Sequence, residues 1–223
     1  MRQPSQLRDQ FENRARAAHR PEPVQKVQVA KMPDDSPLHF LGEFMREPFK
    51  VGAVLPSSKE LSRVVVDACE INPTDIVVEL GSGTGAFTGL ILKRLSNRGR
   101  LLAVEINPTH AAILRRRFPR CEVIEDSAEN LLAHLGGERA DCIVSGLAWG
   151  TMLPKLQTQI FRAILKSLKP GGQLVAFAYV HAAWLPTSRR FRQRLQRYFK
   201  QVKTTPIVWR NLPPAFVFCC LRA

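Results

Sequence analysis

The run Val77-Val78-Glu79-Leu80-Gly81-Ser82-Gly83-Thr84-Gly85-Ala86 constrains this chain more than any other stretch. An apolar, β-branched strand carries one carboxylate near its end, three alternating glycines follow, and Phe87-Thr88-Gly89-Leu90-Ile91-Leu92 then reads as a helix. Glycine accepts the positive φ of a sharp strand-to-helix turn, and its missing Cβ lets backbone press against a ligand. Strand, glycine loop and helix in that order commit this part of the chain to an α/β sheet with a nucleotide-like ligand at the strand's carboxyl end.

The same alternation continues on both sides. Helices are expected at Lys59–Cys69, Phe87–Leu95, Pro108–Arg117, Ala128–Leu135, Leu156–Leu168 and Ser188–Phe199. Strands are expected at Asp75–Leu80, Arg100–Glu105, Glu122–Glu125, Asp141–Ser145 and Gln173–Val180, and then at Gln201–Trp209 and Ala215–Leu221 with no helix between them. This pattern predicts an α/β, Rossmann-like fold: a seven-stranded, mostly parallel sheet with helices on both faces and a C-terminal antiparallel edge hairpin.

The N-terminal part has a different texture. Residues 1–36 are rich in Arg, Gln, Pro and Asp and read as a mobile basic arm that can form a short helix at Ser5–His19. In residues 37–49, Leu38, Leu41 and Met45 share a helical face that Phe40 and Phe44 widen, and Pro48 ends it. Two readings stand side by side: a helix packed on the core, or an amphipathic helix that sinks Phe40, Leu41, Phe44 and Met45 into lipid headgroups.

Charge is distributed unevenly. The net charge is +14, yet no Asp or Glu follows Asp141. Thirteen Lys and Arg lie beyond that point, leaving twenty in residues 1–141 against all nineteen acidic residues. A basic, acid-free third implies a polyanionic partner, either nucleic acid or an anionic membrane surface; a solvated basic helix across Arg189–Lys203 is the plain alternative. There is no secretory apolar region and no apolar run long enough to span a bilayer, so a soluble or peripheral protein is expected. The five cysteines (Cys69, Cys121, Cys142, Cys219 and Cys220) sit in or beside apolar segments without metal-ligand spacing, and read as buried reduced thiols of a cytosolic protein.

The strand ends select the ligand. The first ends at Glu79, the second at Glu105-Ile106-Asn107 and the third at Glu125-Asp126-Ser127. A carboxylate after the second strand accepts ribose hydroxyls, and one after the third can accept an adenine amine. Gly81-x-Gly83-x-x-Ala86 also satisfies a dinucleotide fingerprint, but Glu79 would point a carboxylate at the pyrophosphate, whereas a cationic, amino-acid-bearing ligand suits it.

These residues, with Lys169-Pro170-Gly171-Gly172 before the fifth strand, resemble a class I S-adenosylmethionine-dependent methyltransferase over residues 50–223. The resemblance implies S-adenosylmethionine as cofactor and a binding set of Glu79, Gly81, Ser82, Gly83, Gly85, Glu105, Ile106, Asp126, Ser127 and Ser145, with no metal. Ile143-Val144-Ser145-Gly146-Leu147-Ala148-Trp149 is similar to two groups. Ribosomal RNA adenine dimethylases carry Asn-Leu-Pro-aromatic there, but Gly146 and Ala148 replace their Asn and Pro. The bacterial phospholipid N-methyltransferases, which act on phosphatidylethanolamine, and their relatives acting on ornithine lipid are similar in several stretches. These are Ser145-Gly146-Leu147, Val51-Gly52-Ala53-Val54-Leu55-Pro56-Ser57-Ser58, Phe177-x-Tyr179 and Arg210-Asn211-Leu212-Pro213-Pro214-Ala215. That resemblance implies an aminolipid substrate, the 37–49 helix as membrane anchor, and a peripheral place on the inner face of a bacterial cell membrane.

Amine methylation is an in-line displacement that needs a neutral amine. The site must take the proton or exclude the ammonium form by burial. Tyr179, His181 and Ser145 are the candidates to orient the amine, with Tyr179 first, against the plain readings of a core tyrosine and a surface histidine. The group that deprotonates it is not legible. Arg210 is a candidate partner for the lipid's anionic group or a structural arginine holding its turn, and Trp149 is a core side chain first and a candidate wall of the substrate site second. The lipid amine used, the number of methyl groups added and the oligomeric state are not legible in the sequence.

Overall fold

A computed structural model describes residues 57–223. The expected basic arm at 1–36, the Phe40–Met45 helix and the Val51–Pro56 part of the shared segment lie outside the described residues.

The chain runs α1 (Lys59–Asp67), β1 (Ile76–Leu80), α2 (Thr88–Leu92), β2 (Arg100–Val104), α3 (Pro108–Arg117), β3 (Glu122–Ile124), a 3₁₀ helix (Ala128–Leu135), β4 (Ala140–Ser145), α4 (Pro154–Ser167), β5 (Leu168–Tyr179), α5 (Pro186–Tyr198), β6 (Gln201–Thr204) and β7 (Ala215–Leu221). The seven strands form one sheet in the order β3-β2-β1-β4-β5-β7-β6. The first five are parallel, and β7 runs antiparallel between β5 and β6, so the expected hairpin closes one edge.

Burial on both faces explains the apolar strand runs. Val78, Leu80, Leu102 and Ile143 pack with Leu131, Phe161, Ile164, Phe191 and Leu195 beneath the 3₁₀ helix, α4 and α5. Val77, Leu101, Ala103 and Val144 alternate to the other face against Leu61, Val65, Ile91 and Leu114 of α1, α2 and α3. Each of the Val, Leu, Ile and Phe side chains, fully buried, contributes about 1.5–3 kcal/mol of transfer free energy. Four of the five cysteines are buried among them and Cys219 is half-buried.

Helix starts follow local chemistry. Ser58 caps α1 by accepting from the Leu61 N–H at 3.1 Å, and Asn107 caps α3 by accepting from Thr109 N at 2.9 Å ahead of Pro108. The helix expected at Phe87–Leu95 is shorter, Thr88–Leu92, and two strand boundaries depart further from expectation. β5 begins at Leu168, because Lys169–Gly172 forms an irregularity within the strand: pairing with β4 jumps from Ala140↔Leu168 to Cys142↔Gln173. β6 stops at Thr204 rather than at residue 209, since Pro206 has no N–H for a ladder; only an isolated Val208↔Ala215 bridge follows.

Candidate functional site

Strand order reverses between β1 and β4, which opens a crevice at their carboxyl ends. The loops leaving these two strands meet backbone to backbone. Gly146 N donates to Leu80 O at 2.8 Å, and a Cβ at Gly146 would stand 2.6 Å from Gly81 O. Gly81 (φ +70°) is equally confined, its would-be Cβ lying 2.7 Å from Leu147 Cδ2. At Gly83 (φ +54°) no atom lies within 4 Å of that position, so the turn needs glycine for its backbone and leaves an open cradle above it.

Glu79 lies on the same face of β1 as Val77 and is wholly buried. Its Oε2 accepts from the Thr88 hydroxyl at 2.6 Å, whereas Oε1 has no partner. Burial pushes its pKa up to about 8; the Thr88 bond opposes this, and the nearby Glu105 charge adds to it. An unpartnered carboxyl oxygen near the carboxyl end of β1 suits a cationic ligand, which would favour the ionised form. Thr88 is not singled out by the sequence, although a hydroxyl one turn past the glycine loop was the available signal.

Glu105 follows β2 and is also buried. Its Oε2 accepts from Gly83 N at 2.7 Å and its Oε1 from Asn107 N at 2.9 Å, tying the two loops together. A carboxylate offers about four acceptor positions, so each oxygen keeps one for a ribose hydroxyl. Ile106 beside it is 70% exposed and presents an apolar surface for a base. Asp126 accepts from Ser127 N at 2.6 Å, Asn130 Nδ2 at 2.9 Å and His134 Nε2 at 2.7 Å. The His134 bond first, then those from Asn130 and Ser127, hold its carboxyl below the usual range, and Oδ2 retains room for an exocyclic amine. Ser82 is buried, with its hydroxyl directed at Glu79 O at 3.4 Å. The orphaned Glu79 oxygen, the Gly83 cradle and the spare acceptors on Glu105 together fit an adenosine that carries a cationic amino-acid tail.

On the acceptor side the expected residues separate. Tyr179 closes β5 and His181 follows it, the two rings stacked with centroids 5.6 Å apart and 22° between planes. Burial raises the Tyr179 pKa to about 12, so the phenol keeps its proton. Burial lowers that of His181, which is a neutral imidazole at neutral pH. At neutral pH the Tyr179 phenol is therefore protonated and the His181 imidazole uncharged.

Ser145 and Trp149 belong to the fold. The buried Ser145 Oγ accepts from Trp149 Nε1 at 3.0 Å, and the Trp149 ring stacks on Phe191 at 4.2 Å. Only 2% exposed, Trp149 is a core side chain between β4 and α5 and not a wall of the substrate site. Arg210 is exposed, with Glu60 at 4.0 Å as its ion-pair partner. The neighbouring Asn211, which lies in a shared stretch but has no role assigned from sequence, is the residue that builds this turn. Its Oδ1 accepts from Ser58 N at 2.9 Å, and its Nδ2 donates to Pro213 O at 2.7 Å.

Residues 77–172 match the family described as a methyltransferase domain. Over 190 residues the chain is 33% identical to the ornithine lipid N-methyltransferase of Singulisphaera acidiphila, covering 81% of this chain and 93% of that protein. It is 28% identical over 129 residues to ribosomal RNA small subunit methyltransferase A of Thermotoga maritima, covering 56% of this chain and 45% of that protein. Among solved structures, a Streptococcus mutans protein in complex with SAH superposes with a TM-score of 0.56 at 18% identity, over 76% of this chain and 99% of that one.

Proposed function

The chain belongs to the class I S-adenosylmethionine-dependent methyltransferases, and we propose that its acceptor is the amine headgroup of a membrane lipid. S-adenosylmethionine is the cofactor; when bound it supplies a methyl group on a sulfonium that an amine can attack in line. Glu79 faces the cationic tail of this cofactor, Glu105 its ribose and Asp126 its adenine.

What carries the lipid reading is likeness to an ornithine lipid N-methyltransferase across nearly that enzyme's whole length, against likeness to less than half of an RNA enzyme. Gly146 supports it. Where RNA adenine dimethylases have an amide side chain, this chain has backbone packed against Gly81, with no space for one. Phosphatidylethanolamine, its mono- and dimethyl forms and ornithine lipid all present an amine near an anionic group, which the exposed Arg210 can pair in exchange for its 4.0 Å contact with Glu60.

The amine must lose its proton before it attacks. His181, neutral at the strand end, accepts it, while Tyr179 orients the nitrogen through its hydroxyl. The chain would work peripherally on the inner face of a bacterial membrane; among the described residues no helix is long and apolar enough to cross one.

A second reading, methylation of RNA adenine, is favoured by the exposed arginines Arg189, Arg190, Arg192 and Arg197 on α5. One experiment separates the two. The protein is incubated with methyl-labelled S-adenosylmethionine and either aminolipid vesicles or ribosomal RNA, and the products are chromatographed. Label in methylated lipid is expected; label confined to RNA would overturn the lipid assignment.

A further inference from the structure

Large apolar side chains are unevenly exposed in this domain. Six of the nine that stand out among the described residues lie on three loops at one end of the sheet: Leu153 (70% exposed), Trp184 (75%), Leu185 (40%), Ile207 (37%), Trp209 (71%) and Leu212 (42%). The first loop follows β4, the second follows β5, and the third connects β6 to β7. Because β7 runs antiparallel to β5, all three emerge at the carboxyl end, where the cofactor crevice opens.

The loops are joined to one another. The Thr187 hydroxyl donates to Gly150 O, and Gln157 Nε2 donates to both Trp149 O at 2.9 Å and Thr187 O at 3.1 Å. Val180 N donates to Pro214 O at 2.9 Å. The apolar tips therefore stand on a single braced rim. The rim is cationic: Arg189 and Arg190 are exposed on the first turn of α5, Arg210 is 87% exposed, and these loops contain no Asp or Glu.

We propose that this rim is a docking surface for an anionic lipid bilayer, with Trp184 and Trp209 as its two principal anchors. The proposal rests on the aminolipid reading above and gives it a geometry: the mouth of the site faces the headgroups from which the substrate comes. Indole rings, apolar in body and polar at one edge, partition to the bilayer interface. Flanking arginines are attracted to anionic headgroups, and two such weak signals together give stable peripheral binding. Exposed apolar side chains gathered at one end mark an interaction site, and a rim that joins exposed indoles to exposed arginines is complementary to an anionic interface.

The test uses the full chain and vesicles of phosphatidylcholine with one quarter phosphatidylglycerol, containing no aminolipid. Of the three tryptophans, Trp149 is buried, so contact quenching by headgroup-proximal brominated lipids reads Trp184 and Trp209. Quenching is expected, and Trp184→Ala/Trp209→Ala should weaken vesicle binding at least about tenfold while keeping the wild-type melting temperature. Methylation of a short-chain aminolipid below its micelle concentration should survive in that variant. Vesicle binding without quenching, or with unchanged affinity in the double variant, would overturn the docking surface. So would loss of RNA binding alone, which would assign the rim to nucleic acid. The two readings fail separately: quenching without any lipid methylation removes the aminolipid assignment, whereas methylation without quenching removes only the rim.

Discussion

The Thr88 hydroxyl donates to Glu79 Oε2 at 2.6 Å, while Glu79 Oε1, equally buried, has no partner. The carboxyl is therefore half-satisfied, and burial holds its pKa near 8. A cationic amino-acid tail beside it favours the charged form, so S-adenosylmethionine binding at pH 7 is expected to release a proton from Glu79. Calorimetry in buffers of different ionisation heat measures this directly, and the release should vanish in Glu79→Gln. Heats independent of buffer would refute it. The same shift sets a stability trend without ligand. The folded value lies above the unfolded 4.5, so the neutral carboxyl's contribution is complete below pH 4.5, is lost between 4.5 and 8, and is flat above. The total is on the order of 5 kcal/mol. Glu79→Gln should melt higher than wild type at pH 9, with the gap closing near pH 4.5.

Gly146 makes a steric prediction. A methyl group there would meet Gly81 O at 2.6 Å and Leu80 O at 3.4 Å, pushing apart the two loops that Gly146 N–H joins. Gly146→Ala should cost about 1–3 kcal/mol in urea unfolding and weaken cofactor binding. Gly146→Asn should do the same without conferring RNA methylation. Label transfer to ribosomal RNA by that variant would show that the crevice accommodates an amide after all.

Glu105 holds the glycine loop as well as its ligand. Its two oxygens accept from Gly83 N and Asn107 N at 2.7 and 2.9 Å. Glu105→Ala removes both bonds along with the ribose acceptor, and charged hydrogen bonds are worth about 1.5–3 kcal/mol each. Cofactor affinity should fall at least about tenfold. Asp126→Ala, whose carboxylate is more exposed and shared with His134 and Asn130, should fall less. Near wild-type affinity for Glu105→Ala by calorimetry would refute the ribose assignment.

These contacts show which parts of the molecule are legible in a linear chain. The sheet is legible because its signals are local: continuous apolar runs, glycines at the β1 turn, and a proline at the start of α3. Glu79, Glu105 and Asp126 are legible for the same reason, as each follows or ends a recognisable strand. What is not legible depends on distant partners. Trp149 reads as core packing or as a substrate wall until Phe191, on the third element after β4, covers its ring. Asn211 is silent until Ser58, 153 positions away in sequence, donates to it. The rim is hidden likewise, since only the antiparallel return of β7 brings Trp209 to the same end as Trp184.

The division of labour between Tyr179 and His181 can be read from rate against pH. Burial keeps the Tyr179 phenol protonated up to about pH 12, so this group does not titrate in the working range. His181, with its pKa lowered below 6.5, passes from imidazolium to imidazole on the acid side of neutrality. A proton acceptor is active only when neutral, so kcat should fall as pH drops through the lowered His181 value. His181→Gln should remove that acid limb along with most of the activity. Tyr179→Phe should lower kcat yet leave the limb where it is, because an orienting hydroxyl contributes no ionisation there. A limb that moves in Tyr179→Phe and persists in His181→Gln would reverse the two assignments.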